Sequence, residues 1–564
     1  MLHTPTNEKK LLRNFVKLLP IIVFVLALAF TWITSYFYAN NILDSDDSSI
    51  LVLADLLSKE NAVLSQNWIY STELMVIHTN LIFAPLMKIF TNWHTVRFVG
   101  SILLQGIMLW SYFYLCKQTK LGRKATFYSA AMLILPFSIK YGRIVLYHAF
   151  YLPFIAIGFF LVGMLISVVN HYRSAESSFK QWLRIAALLL LALLSGLNGV
   201  RQLMITMAPL VLASIFVTWK KEKLRTDESP EGFLSKWGLI LLSLLICAMG
   251  TIGYLINNNI LSTLYSFKHF DQVITATPTA ERLAAMIGDY FSQFGYQTGR
   301  VLFSLPGILA IGGLFVMLFL TFAGIKQFSC KPVCAPNPPP FSTAACFTRV
   351  MFPFAVLVML TTFVFWGQQA VYSLYLIPAV VWAIPLLACL IEEYKDRCAS
   401  VEKWILTAAC ILVVSNGLFN NAYFIHPTDK QVTYEGLGYQ NVHAAQDLEG
   451  AVDFLTSNGY EVGYATFWNA NIVTNMTSGH IPMIPLVIDN ANASLSYFQW
   501  LTNKNHHEEA FIENKRVFLL LLAPENEMYL QTPLADDGNL VYQDDFYLIY
   551  DFEYSDQPYY ALLE

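Results

Sequence analysis

Charged residues are scarce in this chain. They make up 13% of its 564 residues, whereas soluble globular proteins contain about 25%. Hydrophobic residues make up 56% and the mean hydropathy is +0.48, although a single soluble core rarely grows beyond about 250–300 residues. The lack of charge therefore excludes an ordinary soluble enzyme and indicates a membrane protein with many spans. The net charge is −4 and no basic face is present, which argues against nucleic acid as a partner.

Apolar runs that could cross a bilayer recur along the first 420 residues. A transmembrane helix needs about 20 mainly apolar residues. The candidate spans cover residues 18–38, 95–116, 125–139, 145–169, 184–198, 203–219, 237–256, 301–323, 350–366, 372–391 and 404–420. The first run is longer than the apolar region of a signal peptide and lacks a clear cleavage site, so we expect it to remain as an anchor.

Lysine and arginine residues fix the orientation of these spans. With the N-terminus in the cytoplasm, the cytoplasmic segments contain 22 of the 35 basic residues, and the outside loops between spans contain nine. The positive-inside rule predicts this bias. It places loops 39–94 and 257–300 and the tail 421–564 outside the cytoplasm. None of the eight cysteines lies in those segments, so their folding does not depend on disulfides.

The loop 39–94 begins with the densest acidic cluster of the chain. Asp44, Asp46 and Asp47 lie within four residues of each other in DSDDSS. The leucine and isoleucine residues that follow at helical spacing predict an amphipathic helix over about 48–60, with one of these carboxylates as its N-cap. A second helix is predicted over 73–90 at the membrane interface. The carboxylates therefore have two interpretations, a helix cap or a chemically active group at the membrane surface.

The segment after residue 420 has a different pattern. Its hydrophobic runs are short, and YEVGYATF, KRVFLLLL and DFYLIYDF predict strands. DLEGAVDFLTSNG predicts a helix that Gly459 ends. Alternation of strands and helices indicates a small α/β domain. We therefore predict a transmembrane domain over 1–420 and an extracytoplasmic α/β domain over 421–564.

Several polar residues are predicted to lie at the outer face of the membrane. Ionisable residues at membrane depth are costly, and by default they mark functional sites. Arg201 interrupts a short hairpin between two apolar spans, where a buried cation requires an anion. Lys140 and Arg143 also fit side chains that snorkel to lipid headgroups. The remaining candidates are Glu73, His78, Tyr147, His148, Gln202, Gln369 and Tyr372.

This layout resembles the GT-C superfamily of integral-membrane glycosyltransferases, in particular the bacterial branch similar to protein O-mannosyltransferases. The resemblance rests on SDDSS after the first span, on the two interfacial helices of that loop and on the outside C-terminal domain. YSLYLIP is similar to the family's aromatic–proline signal in a late span, but the usual arginine is absent. The resemblance implies an α-helical, GT-C-like membrane protein with about eleven spans, located in a bacterial plasma membrane.

The resemblance also implies a reaction, sugar transfer from a polyprenyl-phosphate donor to an extracytoplasmic acceptor. Asp46 or Asp47 would take a proton from the acceptor hydroxyl, or would hold a divalent metal such as Mg²⁺ or Mn²⁺ beside it. Arg201, assisted by Lys140 or Arg143, would stabilise the departing lipid phosphate. The other seven candidates would contact substrate, and the bilayer itself is the remaining expected partner.

Two other functions remain open on sequence alone. A transporter or lipid flippase would also have many spans, but transporters usually contain internal repeats, and the two halves of this chain show none. Transport also leaves the structured first loop and the tail unexplained. A non-catalytic cell-envelope assembly protein would tolerate asparagine at both Asp46 and Asp47.

Overall fold

The computed structural model divides the chain into two compact units. Unit 1 comprises residues 1–33, 104–257 and 271–422, and unit 2 comprises residues 34–103, 258–270 and 423–564. Within these ranges the structure describes residues 7–71, 74–172, 178–223, 233–268, 279–329, 342–365, 373–395, 400–426, 432–434, 438–441, 443–489 and 494–552.

Helices dominate the first three quarters of the described chain. The α-helices are α1 (Asn7–Asn41), α2 (Ser45–Glu60), α3 (Asn80–Met87), α4 (Trp93–Thr119), α5 (Arg123–Ile134), α6 (Ile139–Tyr141), α7 (Leu152–Tyr172), α8 (Ser178–Gly196), α9 (Ala208–Lys223), α10 (Phe233–Asn259), α11 (Ala280–Ser292), α12 (Leu305–Lys326), α13 (Thr343–Phe365), α14 (Ile377–Val380), α15 (Ala383–Tyr394), α16 (Val401–Ile425), α17 (Ala444–Asp447), α18 (Glu449–Ser457), α19 (Phe467–Met476), α20 (Glu509–Ile512) and α21 (Ala523–Tyr529). Two π-helical turns cover Gly142–Tyr147 and Leu203–Met207.

Strands occur mainly near the C-terminus. They are β1 (Trp68–Tyr70), β2 (Ser266–Phe267), β3 (Val432–Tyr434), β4 (Tyr439–Asn441), β5 (Val462–Thr466), β6 (Met483–Asp489), β7 (Ser494–Tyr497), β8 (Thr502–Asn503), β9 (Val517–Leu522), β10 (Gly538–Gln543) and β11 (Tyr547–Phe552).

The prediction of about eleven spans is confirmed. Among the described residues, ten helices are long and apolar enough to cross a membrane, or eleven if the pair Arg123–Ile134 and Ile139–Tyr147 counts as one span. The sequence predicts one span over 125–139 and the next over 145–169, whereas the structure has two short helices that meet at an angle of 85°. The bend occurs because Pro136 disfavours helical backbone at Leu135 and cannot donate a backbone hydrogen bond.

Unit 2 contains the predicted α/β domain. Its six-stranded sheet has the order β10-β11-β9-β5-β6-β7. The central strands β9, β5 and β6 are parallel, and the strands on either side are antiparallel. The three predicted strands correspond to β5, β9 and β11, and the predicted helix corresponds to α18. Gly459 has a φ of +69° after that helix, a conformation that glycine adopts without strain.

Parts of the predicted loops also fold in unit 2. Helix α2 matches the predicted amphipathic helix, whereas the one predicted over 73–90 is shorter and covers only Asn80–Met87. Pro85 lies inside α3, where it cannot donate the backbone hydrogen bond to the Leu81 carbonyl. Strands β2, β1 and β8 form a small sheet that joins both loops to the C-terminal segment.

The buried carboxyl group of Glu525 joins the C-terminal ends of β5 and β9. Helix α19 follows β5 and packs on one face of the sheet, and α21 follows β9 with Tyr529 in the core of the other face. Glu525 accepts hydrogen bonds from the Thr466 hydroxyl at 2.8 Å and the Leu522 N–H at 2.9 Å. In open α/β sheets, ligands bind at the switch point, which is the position where the strand order reverses. In this sheet that position lies between β5 and β9, and the Glu525 side chain occupies it.

Glu525 should make the stability of unit 2 depend on pH. Burial raises the pKa of this carboxyl from 4.5 to about 7. Between these values the folded chain binds more protons than the unfolded chain, so stability should fall as pH rises through this window. Glu525→Gln, which cannot ionise, should flatten the dependence of the thermal unfolding midpoint on pH in the purified full chain.

The exposed Glu527 of the same helix offers a matched control. Glu527→Gln should retain the wild-type pH dependence. An identical dependence in Glu525→Gln and wild type would show that Glu525 does not titrate in this range.

Candidate functional site

Asp44 is the N-cap of α2. Its backbone is extended, with φ −132° and ψ 166°, and its Oδ1 accepts a hydrogen bond from the Asp47 N–H at 2.8 Å. The side chain is buried. Capping of this kind satisfies one of the free N–H groups at a helix start. The capping function considered for the acidic cluster is therefore filled by Asp44.

Asp47 forms a buried ion pair. Its Oδ2 lies 2.5 Å from Nη1 of Arg97 in α4, and the two side chains are only 4% and 3% exposed. Burial of an isolated charge costs several kcal/mol, and the attraction between the two ions offsets that cost. The pair fixes the position of Asp47 next to the first turn of α4. Asp46, between the cap and the pair, is exposed.

The sequence argument had not selected Arg97. Its partner is fifty residues away in the chain, so no local spacing connects the two. The sequence does contain one signal that could have identified Arg97. This arginine interrupts the outer end of the apolar run 95–116, just as Arg201 interrupts a short apolar hairpin. A cation within an apolar run suggests a nearby anion.

Helix α19 holds the start of α2 in place. Asn471 donates to the Ser45 hydroxyl at 3.2 Å, and Asn475 donates to the Ser48 hydroxyl at 3.1 Å. The Ser45 hydroxyl in turn donates to the Phe467 carbonyl. Leu43, just before the cap, belongs to the apolar core between α19 and the six-stranded sheet. The C-terminal fold therefore positions the residues around Asp44, Asp46 and Asp47, which we call the acidic turn.

In unit 1, Arg201 lies among aromatic rings. Its guanidinium carbon is 5.3 Å from the ring centre of Phe150, 5.9 Å from that of Tyr151 and 6.0 Å from that of Tyr375. Cation–π contacts of this kind stabilise by about 0.5–2 kcal/mol each. Tyr375 belongs to YSLYLIP, and Phe150 and Tyr151 closely follow the predicted residues Tyr147 and His148.

Irregular backbone surrounds Arg201. One π-helical turn ends just before His148, and the other begins two residues after Arg201. Ala149 has a φ of +57°, a left-handed conformation that costs a non-glycine residue about 1–3 kcal/mol. π-Helical turns and strained residues are concentrated at functional sites. The irregular backbone and the predicted polar residues therefore occur in the same region, around Arg201.

The other predicted residues of unit 1 differ in their surroundings. Tyr147 is buried and donates to the Asn421 side chain, and His148 is buried. The Gln202 side chain is fully buried and donates to Thr206 at 3.0 Å, and its Oε1 has no hydrogen-bond partner among the described residues. Lys140 and Arg143 are exposed.

Four predicted residues remain. In unit 2, His78 is buried, and its Nδ1 lies 2.9 Å from the Thr79 hydroxyl. Glu73, Gln369 and Tyr372 lie outside the described residues. Their contribution to substrate binding stays a prediction.

The acidic turn is a poor match to a metal site. No group of three or more His, Cys, Asp and Glu side chains within the described ranges is arranged to hold a metal ion. One carboxylate of the turn caps a helix and another pairs with Arg97, which leaves Asp46 as the remaining carboxylate. A divalent metal at Asp46 and Asp47 stays a prediction.

Comparison with known proteins gives matches in structure only. No protein-family model matches the chain, and no curated protein matches its sequence. Crystal structures of ArnT from Cupriavidus metallidurans, bound to undecaprenyl phosphate and in the apo state, cover 94% of this chain and 97% of their own, with 10% and 9% identity and TM-scores of 0.52 and 0.54. An oligosaccharyltransferase of Archaeoglobus fulgidus covers 94% of this chain and 72% of its own, with 10% identity and a TM-score of 0.48.

The likeness to ArnT shows the fold. The chain has the fold of the GT-C membrane glycosyltransferases, as its sequence pattern predicted. The fold class predicted above, a helical membrane protein with a small C-terminal α/β domain, is confirmed.

Removal of one partner of the Asp47–Arg97 pair should destabilise unit 2 strongly. Asp47→Asn leaves Arg97 buried without its counter-charge, so we expect a loss of about 3–5 kcal/mol in the free energy of unfolding. Asp47→Asn combined with Arg97→Met removes both charges and should recover most of that loss. The measurement is the thermal unfolding midpoint of the purified full chain.

Asp46→Asn provides the comparison, because Asp46 is exposed at the same helix start. It should cost less than about 1 kcal/mol, the scale of a helix-dipole interaction. Equal midpoints for Asp47→Asn and Asp46→Asn would mean that the ion pair contributes nothing to stability.

Proposed function

We propose that the chain is a membrane glycosyltransferase that moves a sugar from a polyprenyl-phosphate-linked donor to a hydroxyl group of an extracytoplasmic acceptor. The acidic turn carries this proposal. It follows the first span directly, and its three carboxylates have three different environments: Asp44 caps the helix, Asp47 is ion-paired and Asp46 is exposed. The GT-C fold supports the proposal, as does the undecaprenyl phosphate bound to ArnT.

Asp46 is the first candidate for the general base. Its exposure makes it accessible to an acceptor, whereas Asp47 is held by Arg97 and adds a fixed negative charge close by. The base takes the proton of the acceptor hydroxyl as the oxygen attacks the anomeric carbon of the sugar. The bond from that carbon to the phosphate oxygen breaks, and polyprenyl phosphate leaves with the electron pair. General-base help of this kind contributes about 10²–10⁴-fold.

Arg201 is the candidate cation for the leaving phosphate. A guanidinium can donate two parallel hydrogen bonds to phosphate oxygens, and the rings of Phe150, Tyr151 and Tyr375 hold it in position. Because Gln202 follows Arg201 and has a buried oxygen without a described partner, it is a candidate to bind a sugar hydroxyl. Lys140 and Arg143, both exposed, remain candidates for contacts to lipid phosphate.

Asp46→Asn should lower sugar transfer by about 10²-fold or more, because the amide cannot accept the proton. Folding should survive, since Asp44 and not Asp46 caps the helix. The assay measures transfer from a polyprenyl-phosphate sugar donor in membranes matched for expression. Asp55→Asn is the matched control, because it removes one carboxylate from the same helix and should retain activity.

Asp47 needs a separate variant, because its loss alone leaves Arg97 unpaired. Asp47→Asn with Arg97→Met tests the fixed charge without that defect. Full activity both in this double variant and in Asp46→Asn would rule out a catalytic role of the acidic turn. Its remaining function would then be to cap helix α2.

A further inference from the structure

A cavity in unit 1 lies outside the residues assigned above, with the exception of Lys140. It has a volume of about 640 Å³, within the ~300–1,000 Å³ typical of ligand pockets. It is lined by Lys140, Gly288, Asp289, Ser292, Tyr296, Gln297, Thr298, Gly299 and Arg300. Most lining residues carry charged, hydroxyl or amide groups, and two are glycines. They come from α6, from α11 and from the segment between α11 and α12.

The charges of this cavity favour an anion that also carries hydroxyl groups. Lys140 and Arg300 contribute two positive charges and Asp289 contributes one negative charge, which leaves one net positive charge. Burial raises the pKa of Asp289, and the charge of Lys140 opposes that shift. A carboxylate beside two cations accepts hydrogen bonds from a ligand hydroxyl while the cations bind phosphate.

Stacked rings lie close in the chain to two residues that line the cavity. Phe137 stacks on Tyr141 at 4.0 Å and on Phe294 at 4.4 Å, and Asn416 donates to the Phe294 carbonyl at 3.0 Å. Tyr141 is next to Lys140 in the chain, and Phe294 lies two residues before Tyr296. These contacts fix the backbone on both sides of the cavity, so its polar lining is preorganised.

Apolar side chains follow the polar lining directly and are strongly exposed. Val301 and Phe303, just after Arg300, are 73% and 91% exposed, and Ile287, just before Gly288, is also exposed. Exposed apolar side chains next to a span such as α12 contact lipid chains rather than water. A ligand with a polar head in the cavity would therefore have its apolar part against these residues.

We propose that this cavity binds the phosphate-bearing, hydroxylated headgroup of an anionic phospholipid, whose chains lie along Val301 and Phe303. Lys140 and Arg300 contact the phosphate, and Asp289 accepts from a headgroup hydroxyl. Lys140 is also a candidate for the donor phosphate above, and in that respect the proposal rests on the proposed function. Arg300 and Asp289 have no role in sugar transfer there, so the binding experiment can fail while sugar transfer stands. A polyprenyl phosphate and a common anionic phospholipid both offer the phosphate, and a binding experiment distinguishes them.

The experiment measures lipid binding to the purified full chain by native mass spectrometry. The probes are undecaprenyl phosphate, phosphatidylglycerol, phosphatidylcholine and inorganic phosphate. Arg300→Gln removes one cation, and Gly288→Leu fills the cavity without a change in charge. A Cβ on Gly288 meets no described atom within 4 Å, and leucine is a better helix former than glycine, so this variant should fold.

Both variants should weaken the tightest binding of an anionic lipid by about tenfold or more, the scale of a lost hydrogen bond to a charged group. The matched controls are Arg123→Gln, an exposed cation of unit 1 outside the cavity, and Gly238→Leu, a helical glycine with equal space around it. Both controls should bind within twofold of wild type, and phosphatidylcholine should bind equally to all variants.

The pattern among probes identifies the source of the headgroup. A weaker binding of phosphatidylglycerol supports the proposal, because its glycerol hydroxyls can donate to Asp289. An effect confined to undecaprenyl phosphate, which has no hydroxyl besides its phosphate, would overturn the proposal and identify a contact of the sugar donor instead. Wild-type binding of both lipids by Arg300→Gln and Gly288→Leu would overturn the proposal. Inorganic phosphate that binds as tightly as either lipid would also overturn it, because the apolar rim would then contribute nothing.

Discussion

The burial of one carboxylate beside one guanidinium determines the environment of the acidic turn. Asp47 and Arg97 can lie in an apolar environment only as a pair, because either charge alone would cost several kcal/mol. The Asp44 side chain is also held in place, since its carboxylate accepts a hydrogen bond from a backbone N–H at the start of α2. Asp46 is the exposed member of the three. The same interaction therefore orders the turn and decides which carboxylate can meet a substrate.

The C-terminal α/β fold extends this constraint to a distant part of the chain. Asn471 and Asn475 of α19 bind serine hydroxyls in the first turn of α2, and Leu43 enters the core beneath α19. Helix α19 begins at the end of β5, where Thr466 binds the buried Glu525. The switch point of the sheet, which binds ligands in many α/β proteins, is thus used here for internal contacts. The domain holds the acidic turn in place through these contacts.

Features with a local period could be predicted from the sequence, whereas paired polar groups could not. The spans follow from apolar runs, and β5, β9, β11 and α18 follow from short hydrophobic strings ended by turn residues such as Gly459. The bend after Ile134 was missed because a run over 125–139 is apolar whether or not Pro136 interrupts it. Arg97 and Asn475 were missed because their partners, Asp47 and Ser48, are 50 and 427 residues away, and the fold alone brings them together. Arg201 was found because a single cation in an apolar hairpin is a local signal. Its aromatic neighbours were not, since Phe150 and Tyr375 come from distant parts of the chain.

The central claim is that the chain transfers a sugar. It is tested most directly by asking whether the sugar donor is cleaved or only moved across the membrane. Isolated membranes that contain the chain and its native acceptors would be given a polyprenyl-phosphate donor labelled in the sugar, and free polyprenyl phosphate and labelled acceptor would be quantified by mass spectrometry. A glycosyltransferase releases polyprenyl phosphate in equal amounts with glycosylated acceptor, and membranes without the chain release neither. Recovery of the intact donor in the opposite leaflet, with no free polyprenyl phosphate, would contradict the account and identify a flippase.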